Sequence, residues 1–369
     1  MTAIISLGQF NKNIIFPILG GIICFFISII LYKSKLSDYP IILCLSSSSG
    51  MSLSFILLII YNHKNKIINE TIIEKEKKSL FIDKIKFILI CASLDFTETL
   101  LLDIFCVDLK VNLWIFDIIF LVLFSYSIFE IKIYKHHYLS IFVIIITGII
   151  IDIISGYYND FSKNIFIKLF AEILISFDVV MCKYAMDRKY CSPYEMCCYT
   201  GFFELILYSL LFLLSNYLKF LDDFKFNFND FELRDLWIFI IIDIMKLFYN
   251  LLVFITISIT SAIHNIIIII IGGLASYFID LIYNNFESYK IVIIIFGLCV
   301  IFFMTLIFNE IFELNLCGFE KNTKRNIYLR SLLDEKGNNN NDENRCSLGN
   351  YTFSMERELN EDFTLNSNE

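Results

Sequence analysis

The chain has 369 residues, of which 57% are hydrophobic and 18% charged, with a mean hydropathy of +0.68 and a net charge of -8. Water-soluble domains lie nearer to about 45–50% apolar and about 25% charged, so an ordinary soluble domain is excluded. No basic patch interleaved with aromatics is present, which excludes a nucleic-acid surface.

The apolar residues come in blocks of roughly 18–24, separated by short polar segments, which is the length a helix needs to cross a bilayer. The pattern predicts an all-α polytopic membrane protein with ten spans: 13–32, 41–61, 85–106, 112–130, 138–156, 164–184, 196–215, 236–258, 261–283 and 289–309. The first span lacks a basic leader and a small-residue cleavage site, so it is expected to be retained as a helix. Its Gly20-Gly21 pair, like Gly272-Gly273 in the ninth span, offers a place where helix backbones can approach or slide. The second span holds Ser46-Ser47-Ser48-Ser49-Gly50, hydroxyls suited either to close helix contact or to a polar path.

The third span breaks the apolar rule. Asp95 and Glu98 lie near its middle, three positions apart and so on one helical face. A central acid costs about +2.5 to +3.5 kcal/mol on insertion, against roughly -0.3 to -0.6 for each Ile, Leu or Phe, so this helix is marginal alone in lipid. Its acidic face must meet other helices or a hydrated cavity. Asp117, Asp152 and Glu204 add one acid each to the fourth, fifth and seventh spans, and Glu172 and Asp178 add two to the sixth. The eighth span repeats the three-residue spacing with Asp243 and Lys246, and Asn250 follows four residues later on the same face. The ninth carries His264, the one histidine within a span, where nearby carboxylates would let it titrate in the physiological range, and Asp280 near its end.

Loop charge sets the topology. Alternate loops differ about twofold in Lys and Arg, the richer set including Lys64 to Lys86, Lys132, Lys135, Lys183, Arg188, Lys189 and the residues after Phe319. The positive-inside rule then puts both termini in the cytosol, with an even number of crossings. The sequons at Asn69 and Asn350 fall on that same side and are expected to stay unglycosylated. The chain divides into residues 1–156, residues 157–319 and a tail, 320–369, too poor in apolar residues to pack and expected to be largely disordered. The eleven cysteines form neither a C-x-x-C pair nor a disulfide framework, and Cys197-Cys198 read as small packing residues. No metal spacing links His63, His136 or His137 to cysteines or acids, so no cofactor or metal is expected.

Three segments, Ser127 to Ile151, Lys183 to Leu207 and Thr305 to Phe319, resemble the drug/metabolite transporter superfamily, and most closely the subfamily-F-like branch of solute carrier family 35. The resemblance covers roughly residues 13–320. It implies two inverted five-helix repeats, residues 1–156 and 157–319, around a cavity opened alternately to either side. It also implies that Asp95, Glu98, Asp243, Lys246 and His264 line that cavity, by exchange or proton coupling of a small solute.

The expected function is therefore secondary-active transport of a small polar or charged solute, with Asp95, Glu98, Asp243, Lys246, Asn250 and His264 as binding residues. A non-transporting scaffold or receptor acting through the tail is the alternative. An enzyme is not expected, because neither H-E-x-x-H, G-x-G-D nor a G-x-x-x-x-G-K-[ST] loop is present. The expected partners are the solute and the lipid bilayer, with a homodimer left open, in an endomembrane of Golgi or lysosome-like type or in the plasma membrane.

Overall fold

The computed structural model describes residues 5–7, 12–34, 40–66, 74–102, 114–129, 134–155, 165–215, 233–260, 262–265, 267–272, 288–309 and 312–314. Almost all of these are helical. The α-helices are α1 (Ile15–Lys33), α2 (Pro40–Leu53), α3 (Phe55–Lys66), α4 (Glu74–Leu100), α5 (Trp114–Phe129), α6 (Lys135–Ser155), α7 (Ile165–Lys189), α8 (Pro193–Ser215), α9 (Leu233–Ile259) and α10 (Ser288–Phe308). A 3-10 turn, Ala262–Asn265, and a helical stretch at 267–272 follow α9. Both sequons and the tail after Phe319 lie outside the described residues, as do Asp280 and Gly273.

Among the described residues, five helical segments are long and apolar enough to cross a membrane: Ile41–His63, Lys135–Ile154, Pro193–Leu214, Leu236–Ile259 and Ser288–Phe308. Ile15–Leu31 and Phe116–Phe129 are apolar but shorter. The distribution of residues is that of a protein in lipid. Ser46, Ser48, Asp117, Asp152, Glu172, Thr200 and Glu204 are buried, whereas Phe166, Val292 and Phe296 stand 74%, 66% and 70% exposed. Polar groups inside and large apolar groups outside invert the soluble pattern, because lipid rather than water is the surrounding solvent. The chain is an α-helical membrane protein.

Three span boundaries differ from the sequence expectation. The second span is two helices, interrupted at Ser54, whose N–H turns back to the Met51 carbonyl at 3.0 Å. α4 begins at Glu74, well before 85, because the charged stretch ahead of the apolar run contains no Gly or Pro to stop a helix. The ninth span opens as a 3-10 turn rather than a regular helix.

Helix ends are set by local chemistry. Ser192 and Glu195 form a capping box at the start of α8: Glu195 N–H donates to Ser192 Oγ at 3.1 Å and Ser192 N–H to Glu195 Oε2 at 2.7 Å, with Pro193 at the first helical position. α7 ends because Tyr190 takes the left-handed conformation, with φ at 55°. The Cys191 N–H then reaches back to the Ala185 carbonyl at 3.3 Å.

α2 packs on α8 and α9, α1 on α9, α4 on α7 and α8, α5 on α7, and α6 on α10. The 267–272 stretch meets α1, where Gly20 faces Ile268 and Gly21 faces Ile271. Several contacts gather at one end of the bundle. Ile5–Leu7 pairs antiparallel with Phe312–Leu314, bringing the start of α1 and the end of α10 together. Lys84 and Glu195 form a salt bridge at 3.2 Å, Tyr61 and Tyr194 rings meet at 5.1 Å, and Lys183 Nζ donates to the Ser258 carbonyl at 3.1 Å.

The tightest crossings run through Gly50 and Gly201. A β-carbon at Gly50 would lie 2.6 Å from the Asp243 carbonyl oxygen, and one at Gly201 would lie 2.5 Å from Met51 Cβ and 2.6 Å from Ser52 N. These neighbours are backbone or backbone-proximal and cannot turn aside. Gly50→Ala and Gly201→Ala are each expected to cost about 1–3 kcal/mol of stability, read as a lowered melting temperature in detergent. Gly272→Ala, facing only the Cys24 Sγ at 3.1 Å, should change it little. Tyr190→Gly should act in the opposite sense. It relieves a left-handed residue whose side chain is 72% exposed, and should raise stability by about 0.5–1 kcal/mol in the same assay.

Candidate functional site

Six of the span acids fall into one neighbourhood. α4 supplies Asp95 and Glu98, α5 Asp117, α7 Glu172 and Asp178, and α8 Glu204. The carboxyls of Asp95 and Glu204 share a hydrogen bond between α4 and α8. Those of Asp117 and Glu172 do the same between α5 and α7, where Ser176 Oγ also donates to the Asp117 carbonyl at 3.0 Å. Glu98 lies within electrostatic range of Asp95, Asp178, Asp117 and Glu172. Glu204, Asp117 and Glu172 are 3%, 4% and 5% exposed, so the cluster is occluded. Aromatic contacts fasten its walls: Phe96 against Tyr208 at 4.8 Å joins α4 to α8, and Phe124 against Phe177 at 5.4 Å joins α5 to α7.

A second polar group lies on α1, α2 and α9. Asp243 accepts from Ser49 Oγ at 2.5 Å and Ser46 Oγ at 3.2 Å. The Ser46–Gly50 run thus serves close helix contact, since its hydroxyls bind Asp243 while Gly50 lets α2 and α9 close together. Lys246 Nζ stands 5.8 Å from the centre of the Tyr249 ring and near Cys24, which is hydrogen-bonded to Tyr249. Tyr249 lies within electrostatic range of both Asp95 and Glu98 and so links the two groups.

Of the sequence-predicted site residues, Asp95 and Glu98 sit together in the acidic cluster. Asp243 is bound by serines of α2, and Lys246 stands on the same helix beside Tyr249 and Cys24. Asn250 is half-buried on α9, with its Nδ2 lacking a protein hydrogen-bond partner. His264 is half-buried in the 3-10 turn that packs on α5, α7 and α9. Glu98 Oε2 and Glu204 Oε1 are likewise buried without a protein partner. Glu204, Asp178 and Tyr249 lie beside Asp95 although no spacing in the sequence joins them to it. A surface hollow of about 330 Å³ lined by Leu101, Phe166, Ile167 and Phe170 is apolar and belongs to the lipid-facing side.

The sequence matches no protein-family model and no curated protein.

The bonding of Asp243 leads to a test. Ser46→Ala with Ser49→Ala removes both hydroxyl donors from a half-buried carboxylate and should cost about 1–3 kcal/mol in detergent melting experiments. Adding Asp243→Leu removes the stranded acceptor as well, and the triple variant should recover most of that loss.

Proposed function

We propose that the protein is a secondary-active transporter of a small polar or charged solute, working by alternating access. The observation that carries this reading is the occluded carboxyl cluster on α4, α5, α7 and α8, with Glu98 Oε2 and Glu204 Oε1 buried and free of protein partners. Buried acids are expensive in a membrane, and pairing helices through polar contacts returns only about 0.6 kcal/mol per contact on average. A path for a solute or for protons justifies them better. Asp95 and Glu204 face one another where an arriving cation would bind, and Lys246 supplies the opposing charge on the facing helix.

Two inverted five-helix repeats fit the packing. Let the second and third helices stand as one span, and exchange the first five spans for the last five. The α1–α9 contact then maps onto α7–α4, and α2–α9 maps onto α8–α4. The contact of 267–272 with α1 maps onto that of α5 with α7, while α2–α8 and α6–α10 each map onto themselves. The same exchange puts Asp243 and its α2 serines opposite Asp95 and its α8 partner Glu204. Matched polar interruptions at equivalent depth are the signature of repeat transporters. Both termini on the cytosolic face is supported by the loop charges and by the pairing of Ile5–Leu7 with Phe312–Leu314, in an endomembrane or the plasma membrane.

The test is uptake into proteoliposomes from a panel of small cations, amines and neutral polar solutes, with and without an imposed pH gradient. Saturable uptake of at least one solute is expected. Asp95→Asn, Glu204→Gln and Lys246→Met should each lower it about tenfold or more while the protein remains folded, the loss of a charge-assisted hydrogen bond being worth roughly 1.5–3 kcal/mol. Normal transport by all three would remove these residues from the path.

A further inference from the structure

Beside the acidic cluster, α4 and α7 bring two thiols and a carboxyl to one point. Cys182 and Asp178 are four residues apart on α7 and share a helical face, and Cys91 comes from α4. The ligand atoms of all three lie within 4.8 Å of one another. Cys182 Sγ is 3.6 Å from Asp178 Oδ2 and 3.7 Å from Oδ1, and it is in contact with Cys91. Cys91 and Cys182 are 1% and 2% exposed, so no water competes for the sulfurs from outside.

We propose that Cys91, Asp178 and Cys182 form a binding site for a thiophilic divalent cation of the zinc class. A tetrahedral ion holding sulfur at about 2.3 Å and oxygen at about 2.0–2.2 Å sets its ligand atoms roughly 3.5–3.8 Å apart. The Cys182–Asp178 separations already match that edge. A thiol donating to a carboxylate would show the same distance, but it would not call for a second thiol from another helix. Two thiolates select a soft or borderline ion over Mg²⁺ or Ca²⁺, which prefer an all-oxygen shell. Asp95 lies within electrostatic range of all three groups.

The charge balance suits a buried position. Binding releases the two thiol protons as one M²⁺ enters, so the net charge of the site is unchanged and the desolvation cost of an added charge is avoided.

The site goes beyond the transport reading and does not depend on it, since binding is measured on the full chain in detergent with no gradient. Cd²⁺ is the probe. Titration of the reduced protein should give thiolate-to-cadmium charge-transfer absorption saturating at about one equivalent, displaced by Zn²⁺. Cys91→Ser and Cys182→Ser should each weaken binding by about a hundredfold, and Asp178→Asn by about tenfold with the thiolate band retained. Cys299→Ser, at an exposed position, should change nothing. X-ray absorption on the zinc-loaded unmutated protein should show two sulfurs at about 2.3 Å, which keeps the test open if the serine variants fold poorly. Absorption that survives the Cys91→Ser/Cys182→Ser double variant, a zinc shell without sulfur, or recovery of Cys91 and Cys182 as a disulfide in the purified chain would each overturn the assignment.

Discussion

An ionisable side chain in hydrocarbon needs either a partner or water, and the arrangement of this bundle follows from meeting that need many times over. Six acids on four helices, Asp95, Glu98, Asp117, Glu172, Asp178 and Glu204, each set against roughly five to ten Ile, Leu or Phe residues on an insertion scale. That ratio accounts for the density of Ile and Phe in the sequence, where Phe alone occurs 39 times. It also decides which helices pack. α4 and α7 carry the most charge and neither qualifies as a span on its apolar content, yet they pack on each other and on α5 or α8, where their acids are enclosed. The apolar helices take the lipid: α10 turns Val292, Ile295 and Phe296 outward while Ile294, Gly297, Leu298 and Ile301 face inward.

The two polar groups are related in position but not in charge. The group on α4, α5, α7 and α8 is almost wholly acidic. The group on α1, α2 and α9 has one acid quieted by serine hydroxyls, and adds a lysine, a tyrosine and a cysteine. On the proposed repeat, this is a pair of equivalent half-sites that have diverged chemically, one suited to attract a cation or store protons and the other to supply the opposing charge. Tyr249 is the physical connection between them, since it hydrogen-bonds Cys24 on one side and lies within range of Asp95 and Glu98 on the other. A mixed pair of half-sites gives a central position a direction of field that a symmetric pair would lack.

The class of the protein and its marked helices were legible in the sequence because hydropathy and charge are local properties. Asp95, Glu98, Asp243 and Lys246 stand out from their own neighbours within a single turn. What each one touches was not legible. Ser46 and Ser49 meet Asp243 across a separation of 197 and 194 residues, and Cys91 meets Cys182 from a different helix altogether. No spacing rule reaches that far, so the cysteines looked scattered although the fold gathers two of them with an acid. The early start of α4 was hidden for a different reason. Its first turns are charged and lie ahead of the apolar run, so hydropathy ends where the helix does not. The capping box at Ser192 and Glu195 was open to reading from four residues, because a cap is made entirely from its own neighbourhood.

The glycines bear on how such a bundle could move. Gly201 lies in the α2–α8 contact and Gly297 in the α6–α10 contact, the two interfaces that the proposed exchange of halves carries onto themselves. A rocking motion of one half against the other would turn about those interfaces, which must therefore stay closely packed while tolerating rotation. A glycine on one side of each contact meets both demands, Gly201 lying against Met51 and Ser52 and Gly297 against the side chains of Ile151 and Thr147. The α5–α7 and α4–α7 interfaces are different in kind: the first is held by the Asp117–Glu172 pair, the Ser176 hydroxyl and the Phe124–Phe177 rings, the second by the Phe87–Tyr184 rings. A change of protonation or the arrival of a cation at Asp95 and Glu204 would loosen α4 from α8 while leaving the glycine contacts intact. The acids would then be more than a binding surface, because the Asp95–Glu204 contact also joins two helices.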